Sequence, residues 1–382
     1  MKKELTSAEN VVQNVCNIKK DERVLIIANP GTSNIAQDLY TASNEAGAKT
    51  VLMYQNAKSS FDNAEPEVLA AIATNPDICF SISAIKLGKD PQSAANPFKS
   101  EDGQTYSHIF DYLLDGKKSM RAVWTPGITQ DMFDRTVNID YKQLGARCQS
   151  LIKLFKNAKT VHVTAPAGTD ITIPVQGRSL LSDDGSFSKP GCGGNIPAGE
   201  VFISPVVGSG NASGMTNEDE LNAMSTGCNG KIVYDGSMTF SDGDSIIETP
   251  IECTVVNGFV TEIEGKAEAK RLLKTISEAE QRSIAYEKDG KLPEGMGVIY
   301  RRNARNIGEL GIGLNPAAMI TGNMLEDEKA FNTCHFAIGE NYDNDAPSLI
   351  HLDGVVRNPT ITIIYEDGSE KIILENGALQ ID

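Results

Sequence analysis

The C-terminal part of the sequence contains a histidine and an aspartate one residue apart, His351 and Asp353, with apolar neighbours on both sides. In an extended strand, residues i and i+2 share a face, so this imidazole and carboxylate would point into the same space. His335 lies in a second extended run and adds another imidazole. Two histidines and one carboxylate are the ligand set of non-haem Fe(II) enzymes, and they also bind zinc or cobalt when further carboxylates join them. For the His-x-Asp pair alone, a hydrogen-bonded structural pair is the alternative.

Two acidic residues lie in apolar surroundings. Glu200 follows a proline–glycine turn and opens an apolar strand, and Glu309 is the single charge in a run of glycine, isoleucine and leucine. Carboxylates in such settings are seldom buried unless they are paired or bound to a metal. We therefore predict that Glu200 and Glu309 are the second carboxylate pair of the metal site. A surface position is the alternative for each. Cys334 would face away from His335, as a core residue.

The elements that must position these residues fall into two parts. Up to residue 158, strand and helix patterns alternate, which is typical of parallel βαβ units. The turn Asn29-Pro30-Gly31 has a single glycine and no P-loop lysine, which favours a plain turn over a nucleotide site. Beyond residue 158, short strands recur between glycine-rich turns, with one long helix predicted at about 266–288. We predict an α/β N-terminal domain over 1–158. An α+β C-terminal domain over 159–382 would carry the metal site on mixed or antiparallel sheet.

The composition excludes several classes of function. The 382 residues suffice for a core without a metal, so any metal is predicted to be functional rather than structural. The formal charge of −16 argues against nucleic acid and anionic membranes as partners. The seven cysteines are scattered, which fits a reducing compartment. No apolar run has the length of a signal peptide core or of a membrane span, and we expect a cytoplasmic protein.

The ordered motifs resemble those of the aminopeptidase T/aminopeptidase S family of metalloaminopeptidases. The residues that carry the resemblance are Pro197-Ala198-Gly199-Glu200-Val201-Phe202, Gly308-Glu309, His335-x-Ala337-x-Gly339-x-x-Tyr342 and His351-x-Asp353. The resemblance implies two divalent ions per chain, zinc or cobalt, with Glu200, Glu309, His335, His351 and Asp353 as ligands. It also implies catalytic roles for Glu309 and Tyr342, a small peptide substrate, and a homodimer with an enclosed active site.

Three hypotheses about function follow. The first is an aminopeptidase-like hydrolase that removes N-terminal residues from peptides with a water activated by two metals. The second rests on a similarity to the iron-dependent dioxygenases that open dihydroxypyridine rings. In that case a single Fe(II) would be held by His335, His351 and Asp353, with Glu200 and Glu309 outside its ligand set and a small molecule as substrate. The third is a non-catalytic metal-binding or ligand-binding protein on the same scaffold.

Overall fold

The structure is a computed structural model that describes residues 4–59, 62–208 and 226–381. Its strands, numbered in chain order, are β1 (Arg23–Ala28), β2 (Lys49–Tyr54), β3 (Ile78–Ile82), β4 (Phe98–Lys99), β5 (Thr105–Tyr106), β6 (Arg121–Trp124), β7 (Ala158–Thr164), β8 (Asp170–Pro174), β9 (Leu181–Asp183), β10 (Gly193–Asn195), β11 (Glu200–Ile203), β12 (Asn229–Tyr234), β13 (Ser237–Phe240), β14 (Gly243–Ile246), β15 (Ile251–Val256), β16 (Phe259–Glu264), β17 (Ile307–Gly313), β18 (Thr333–Gly339), β19 (His351–Arg357), β20 (Thr360–Tyr365), β21 (Glu370–Glu375) and β22 (Ala378–Leu379).

The α-helices are numbered in chain order in the same way. They are α1 (Ser7–Asn10), α2 (Ser33–Glu45), α3 (Pro66–Ala73), α4 (Pro91–Ala95), α5 (Ile109–Asp111), α6 (Gln130–Thr136), α7 (Tyr141–Leu154), α8 (Ala267–Lys288), α9 (Met296–Asn303) and α10 (Met324–Asp327), with π-helical turns at Val11–Val15 and Tyr112–Gly116 and a 3₁₀ turn at Pro30–Thr32. Among the described residues, no helix is long and apolar enough to cross a membrane.

The first compact unit is built on a parallel sheet. It comprises the described residues up to Gly145 together with Asp183–Gly199. Its five-stranded sheet has the order β10-β6-β3-β1-β2, with parallel pairing throughout. Strand β3 is buried along its whole length, as expected for a parallel sheet covered on both faces. The predicted βαβ architecture is confirmed.

The second compact unit is built on antiparallel strands. It comprises Ala146–Ser182 and the described residues from Glu200 onward. One sheet has the order β14-β13-β19-β18-β17-β11-β9, and the other has the order β16-β15-β12-β8-β7-β20-β21-β22. The long helix α8 covers Ala267–Lys288, close to the predicted 266–288. The fold class is therefore the predicted one, an α/β N-terminal part followed by an α+β part.

The division into compact units differs from the domain limits predicted at 158 and 159. Two segments change sides relative to that prediction: most of α7 belongs to the second unit, and 183–199 belongs to the first. Helix α7 lies with the second unit because Tyr365 Oη donates a hydrogen bond to its last carbonyl, at Leu154, over 2.8 Å. The glycine-rich segment joins the first unit because β10 pairs with β6. The domain limits themselves stay a prediction.

The core of the second unit lies behind the strands that carry the candidate site. Cys334 and Phe336 on β18 are fully buried on one face of the sheet. On the same face, Gly354 of β19 contacts the ring of Tyr234, and a Cβ atom at Gly354 would lie 2.4 Å from that ring. Cys334 is thus a core residue, as predicted. The opposite face of these strands carries the polar residues described below.

Candidate metal centre and active site

All five predicted ligand residues project from neighbouring strands of one sheet. Strand β11 carries Glu200, β17 carries Glu309, β18 carries His335, and β19 carries both His351 and Asp353. These four strands are adjacent in the sheet, in the order β19-β18-β17-β11.

The strand register places the five side chains on the same face. Glu309 lies opposite Ala337, which in turn lies opposite Asp353. His335 is two residues from Ala337, and His351 is two residues from Asp353, so both imidazoles share that face. Glu200 lies opposite Gly313, four residues from Glu309, and completes the set on this face. Alternation along antiparallel strands therefore brings together residues that lie up to 153 positions apart.

The side chains converge at hydrogen-bonding distances. His335 Nε2 lies 3.0 Å from Glu309 Oε1 and 3.4 Å from Glu200 Oε2. His351 Nε2 lies 3.3 Å from Glu309 Oε2 and 3.2 Å from Asp353 Oδ1. The Glu309 carboxylate thus connects the two imidazoles, one through each of its oxygens. Glu200 is 6% exposed and Glu309 is 4% exposed, so neither takes the surface position that was the alternative.

A glycine makes room for one of the imidazoles. The ring of His335 lies over Gly311, its partner residue on β17. A Cβ atom at Gly311 would lie 2.0 Å from His335 Nε2, which is closer than any non-bonded contact allows. The unsubstituted backbone therefore permits the ring to reach the space between Glu200 and Glu309.

The orientation of the second imidazole is fixed from behind. His351 Nδ1 lies 2.9 Å from the carbonyl oxygen of Glu340, which can only accept a hydrogen bond, so Nδ1 carries a proton and donates it. Nε2 is then the atom that faces the carboxylates. A histidine held in this way, with one nitrogen on a backbone carbonyl, presents the other to a metal in many metalloproteins.

The charges in the cluster shift the pKa values of its members. Burial lowers the pKa of His335, but the hydrogen bond to Glu309 and the nearby negative charges outweigh burial and raise it to about 9. Burial also lowers the pKa of His351, and the charge of Asp353 raises it well above the usual value. Burial raises the pKa of Asp353, whereas the charge of His351 lowers it to about 2. Both imidazoles therefore carry protons at neutral pH, and the Asp353 carboxylate is negatively charged.

These donors form two adjacent groups with metal-ligand geometry. Glu309, His351 and Asp353 offer ligand atoms that lie within 4.8 Å of one another, and we name them the Glu309 group. Glu200, Glu328 and His335 offer a second such set, which we name the Glu200 group. Asp353 Oδ1 and His335 Nδ1 are buried, and neither has a hydrogen-bond partner of suitable geometry among the described residues. The donor set of carboxylates and imidazoles suits Fe(II), zinc or cobalt.

Two members of the site were not predicted from the sequence. Glu328 belongs to the Glu200 group, and the Lys329 ammonium lies 3.1 Å from Glu200 Oε1 and also contacts Glu328. Both lie in a run of four charged residues that begins in the second half of α10, and such a run is usually a solvated face. Here Glu326, Asp327 and Lys329 are buried instead. The signal in the sequence was the position of this run between apolar residues.

Aromatic side chains line the cluster on one side. The ring of Tyr342 lies 5.4 Å from the ring of His351 and 4.9 Å from that of Phe202, measured between centroids. Phe202 is two residues from Glu200 and shares its face of the sheet. Tyr342 is 54% exposed, so its ring forms an accessible wall beside the polar groups. Its predicted catalytic role stays a prediction, as do the ligand roles of the other five residues.

Comparisons with known proteins identify the family and the fold of this chain. The model of the family described as NicX, 2,5-dihydroxypyridine 5,6-dioxygenase, matches residues 129–380. The solved structure of 2,5-dihydroxypyridine dioxygenase from Pseudomonas putida KT2440 matches with a TM-score of 0.65 and 18% identity, over 98% of this chain and 96% of that chain. Wild-type AmpT from Thermus thermophilus matches with a TM-score of 0.61 and 15% identity, over 98% of each chain. No curated protein matches the sequence.

At these identities the two solved structures establish the fold. Together with the polar cluster, the comparisons define this chain as an enzyme with an α/β part and an antiparallel part. The chain belongs to the NicX family, because the family model spans well over half of its length, including all five predicted ligand residues. The family match favours the ring-cleaving alternative over the hydrolase that the motifs first indicated. The resemblance to aminopeptidase T is matched at the level of the fold.

Proposed function

We propose that this protein is a ring-cleaving dioxygenase for a dihydroxylated pyridine-type ring, dependent on one divalent metal. The observation that carries the proposal is the family match, which spans every strand of the polar cluster. The residues that would hold the metal are Glu309, His351 and Asp353, with His335 reaching it from the neighbouring strand. The chemistry that a bound Fe(II) ion would supply is binding of the hydroxylated ring and activation of dioxygen.

The chain's own residues supply orientation and shape. The carbonyl oxygen of Glu340 lies 2.9 Å from His351 Nδ1, and this hydrogen bond keeps Nε2 directed toward the cluster. Glu309 contacts both imidazoles, one through each carboxylate oxygen. Tyr342 and Phe202 present ring faces and edges beside these donors, and such surfaces favour a planar aromatic substrate through offset or edge-to-face contacts. A ring hydroxyl would thus meet the polar cluster while the ring lies along the aromatic wall.

The test is dioxygen consumption with a defined ring substrate. Protein prepared without metal is loaded with Fe(II) under anaerobic conditions and mixed with 2,5-dihydroxypyridine and dioxygen. We expect loss of the ring's absorbance and uptake of dioxygen in equal molar amounts, with both oxygen atoms found in the product by isotope labelling. Loss of absorbance without oxygen uptake would contradict the proposal. His351→Ala, loaded in the same way, is the control for reaction caused by free iron.

A two-metal aminopeptidase is the second candidate, and one observation favours it. The Glu200 group lies beside the Glu309 group, so the cluster offers two sets of ligand atoms instead of one. Two divalent ions about 3.5–4 Å apart would be needed to activate water for peptide hydrolysis. Protein loaded with zinc or cobalt should then release the N-terminal residue of a short peptide. Hydrolysis by the wild type, absent in His351→Ala, would replace the dioxygenase proposal with this one.

A further inference from the structure

The Glu200 group contains a cation that belongs to the chain itself. Lys329 is fully buried, and its ammonium lies 3.1 Å from Glu200 Oε1 and in contact with a Glu328 oxygen. Lysine is almost never fully buried unless it is paired. Lys329 therefore forms a buried ion pair on the polar face of the sheet and not a surface ion pair.

The backbone fixes Lys329 in this place. Its N–H donates to the Glu326 carbonyl over 3.0 Å, and its carbonyl accepts from the Asn315 N–H over 3.0 Å. The segment also lies directly on Gly313, where a Cβ atom would be 2.1 Å from the Ala330 oxygen. Gly313 is the residue opposite Glu200 in the strand register. Because Gly313 has no side chain, the backbone of Lys329 can approach Glu200, the residue whose carboxylate the Lys329 ammonium contacts.

The two groups consequently differ in the cation that their carboxyl groups contact. In the Glu200 group, the ammonium contacts both carboxylates. In the Glu309 group, the carboxylates contact the imidazole of His351. His335 belongs to the Glu200 group by its ligand atoms, but its Nε2 lies nearer to Glu309, at 3.0 Å, than to Glu200, at 3.4 Å. A divalent ion bound to Glu200 would lie within a few ångström of the ammonium, and like charges repel strongly at that separation inside a protein.

We propose that the Lys329 ammonium takes the place of a second divalent ion at the Glu200 group. The chain then binds one metal, at the Glu309 group with His335, and Lys329 determines the metal count. This inference rests on the proposed metal site but not on the identity of the substrate. Glu200, which was predicted to be a metal ligand, becomes the partner of the lysine.

The experiment counts bound ions in three proteins. Wild type, Lys329→Met and Lys329→Arg are freed of metal, titrated with Mn(II) by calorimetry, and analysed for metal content after gel filtration. We expect about one ion per chain for wild type and for Lys329→Arg, and about two for Lys329→Met, whose Glu200 group has lost its ammonium. Electron paramagnetic resonance should show magnetic coupling between two neighbouring Mn(II) ions in Lys329→Met alone. Lys231→Met is the matched control, because Lys231 also pairs with a glutamate but is 47% exposed.

Each result decides a separate point. Two ions in wild type would overturn the inference while leaving the metal site intact, and this measurement holds even if Lys329→Met fails to fold. No ion in wild type would instead overturn the metal site of the proposed function. One ion in a folded Lys329→Met would also overturn the inference. If Lys329→Met binds two, the double variant with Glu200→Gln should return to about one, because the second site loses its carboxylate.

Discussion

The Glu309 group and the Glu200 group consist of the same residue types, but their carboxyl groups face different cations. In the Glu309 group, buried carboxylates face imidazoles, which exchange a proton for a metal ion readily. In the Glu200 group, the carboxyl groups of Glu200 and Glu328 face the Lys329 ammonium, which cannot act as a ligand while it keeps its proton. On the inference drawn above, a cluster of acidic residues and histidine does not define a metal count by itself, because the neighbouring cation determines which carboxylates can bind a metal.

The largest expected effect comes from replacing the His-x-Asp pair of the Glu309 group. We expect His351→Ala and Asp353→Ala each to abolish metal binding and oxygen-dependent ring cleavage, because each removes a ligand from the Glu309 group. The fold should remain, since the core on the opposite face of the sheet does not depend on the metal. Metal analysis of the purified variants measures metal binding, and far-UV circular dichroism shows whether the fold is retained. Unfolding of both variants would mean that the pair is structural.

The matched carboxamide variants should separate the two halves. Glu309→Gln should weaken metal affinity by more than the about 10–100-fold that loss of a group behind a ligand costs. Glu200→Gln should leave one metal bound but lower the free energy of unfolding by about 3 kcal/mol, the lower end of the cost of breaking a buried ion pair, since Glu328 still contacts the lysine. Metal titration and urea unfolding of both variants provide the measurements. Equal effects of the two changes on metal affinity would remove the distinction between the groups.

A glycine substitution tests the position of His335. Gly311→Ala should displace the imidazole, because the added methyl group would lie 2.0 Å from its Nε2. We expect weaker metal binding together with a loss of about 1–3 kcal/mol of stability, the usual cost of forcing extra volume into a packed site. Gly31→Ala is the control, since a Cβ atom there meets nothing within 4 Å. Unchanged metal affinity in Gly311→Ala would place His335 outside the site.

The smallest expected effect is on the pH dependence of the metal-free protein. Burial lowers the pKa of His335, but the hydrogen bond to Glu309 raises it to about 9, above the about 6.5 of an unfolded chain. The stabilisation from this proton is therefore complete below pH 6.5 and is lost as the pH rises through 9. We expect the melting temperature of the metal-free protein to fall over that interval, while metal affinity rises because the competing proton leaves. A melting temperature that rises with pH there would contradict the assignment.

Much of this molecule follows from periodicity in the sequence. Helix α8 begins within one residue of its predicted start. The glycine-rich β10 was not predicted as a strand, because three residues without β-branched or aromatic side chains give no strand signal. Its pairing in the first sheet depends on a partner that lies some 70 residues earlier in the chain.

The candidate site was predictable in part, and the division is physical. Glu200, Glu309, His335, His351 and Asp353 stand out because polar groups in apolar strands need a reason to be buried. Glu328 and Lys329 stand out less, because a local run of charges is usually a solvated face, and the burial of Lys329 depends on the backbone of Gly313. The metal count, the ligand roles and the expected homodimer stay predictions until they are measured.

The placement of the ligands on adjacent inner strands has a consequence for motion. Amide protons in the central strands of a sheet exchange with solvent chiefly through cooperative opening of the surrounding structure, whereas loops open locally at much lower cost. The strands β19, β18, β17 and β11 each have a neighbour on both sides, so their relative positions are fixed by ladder hydrogen bonds. Ligand spacing should therefore persist when the metal is removed. Such a site is preorganised, and refilling it requires no refolding.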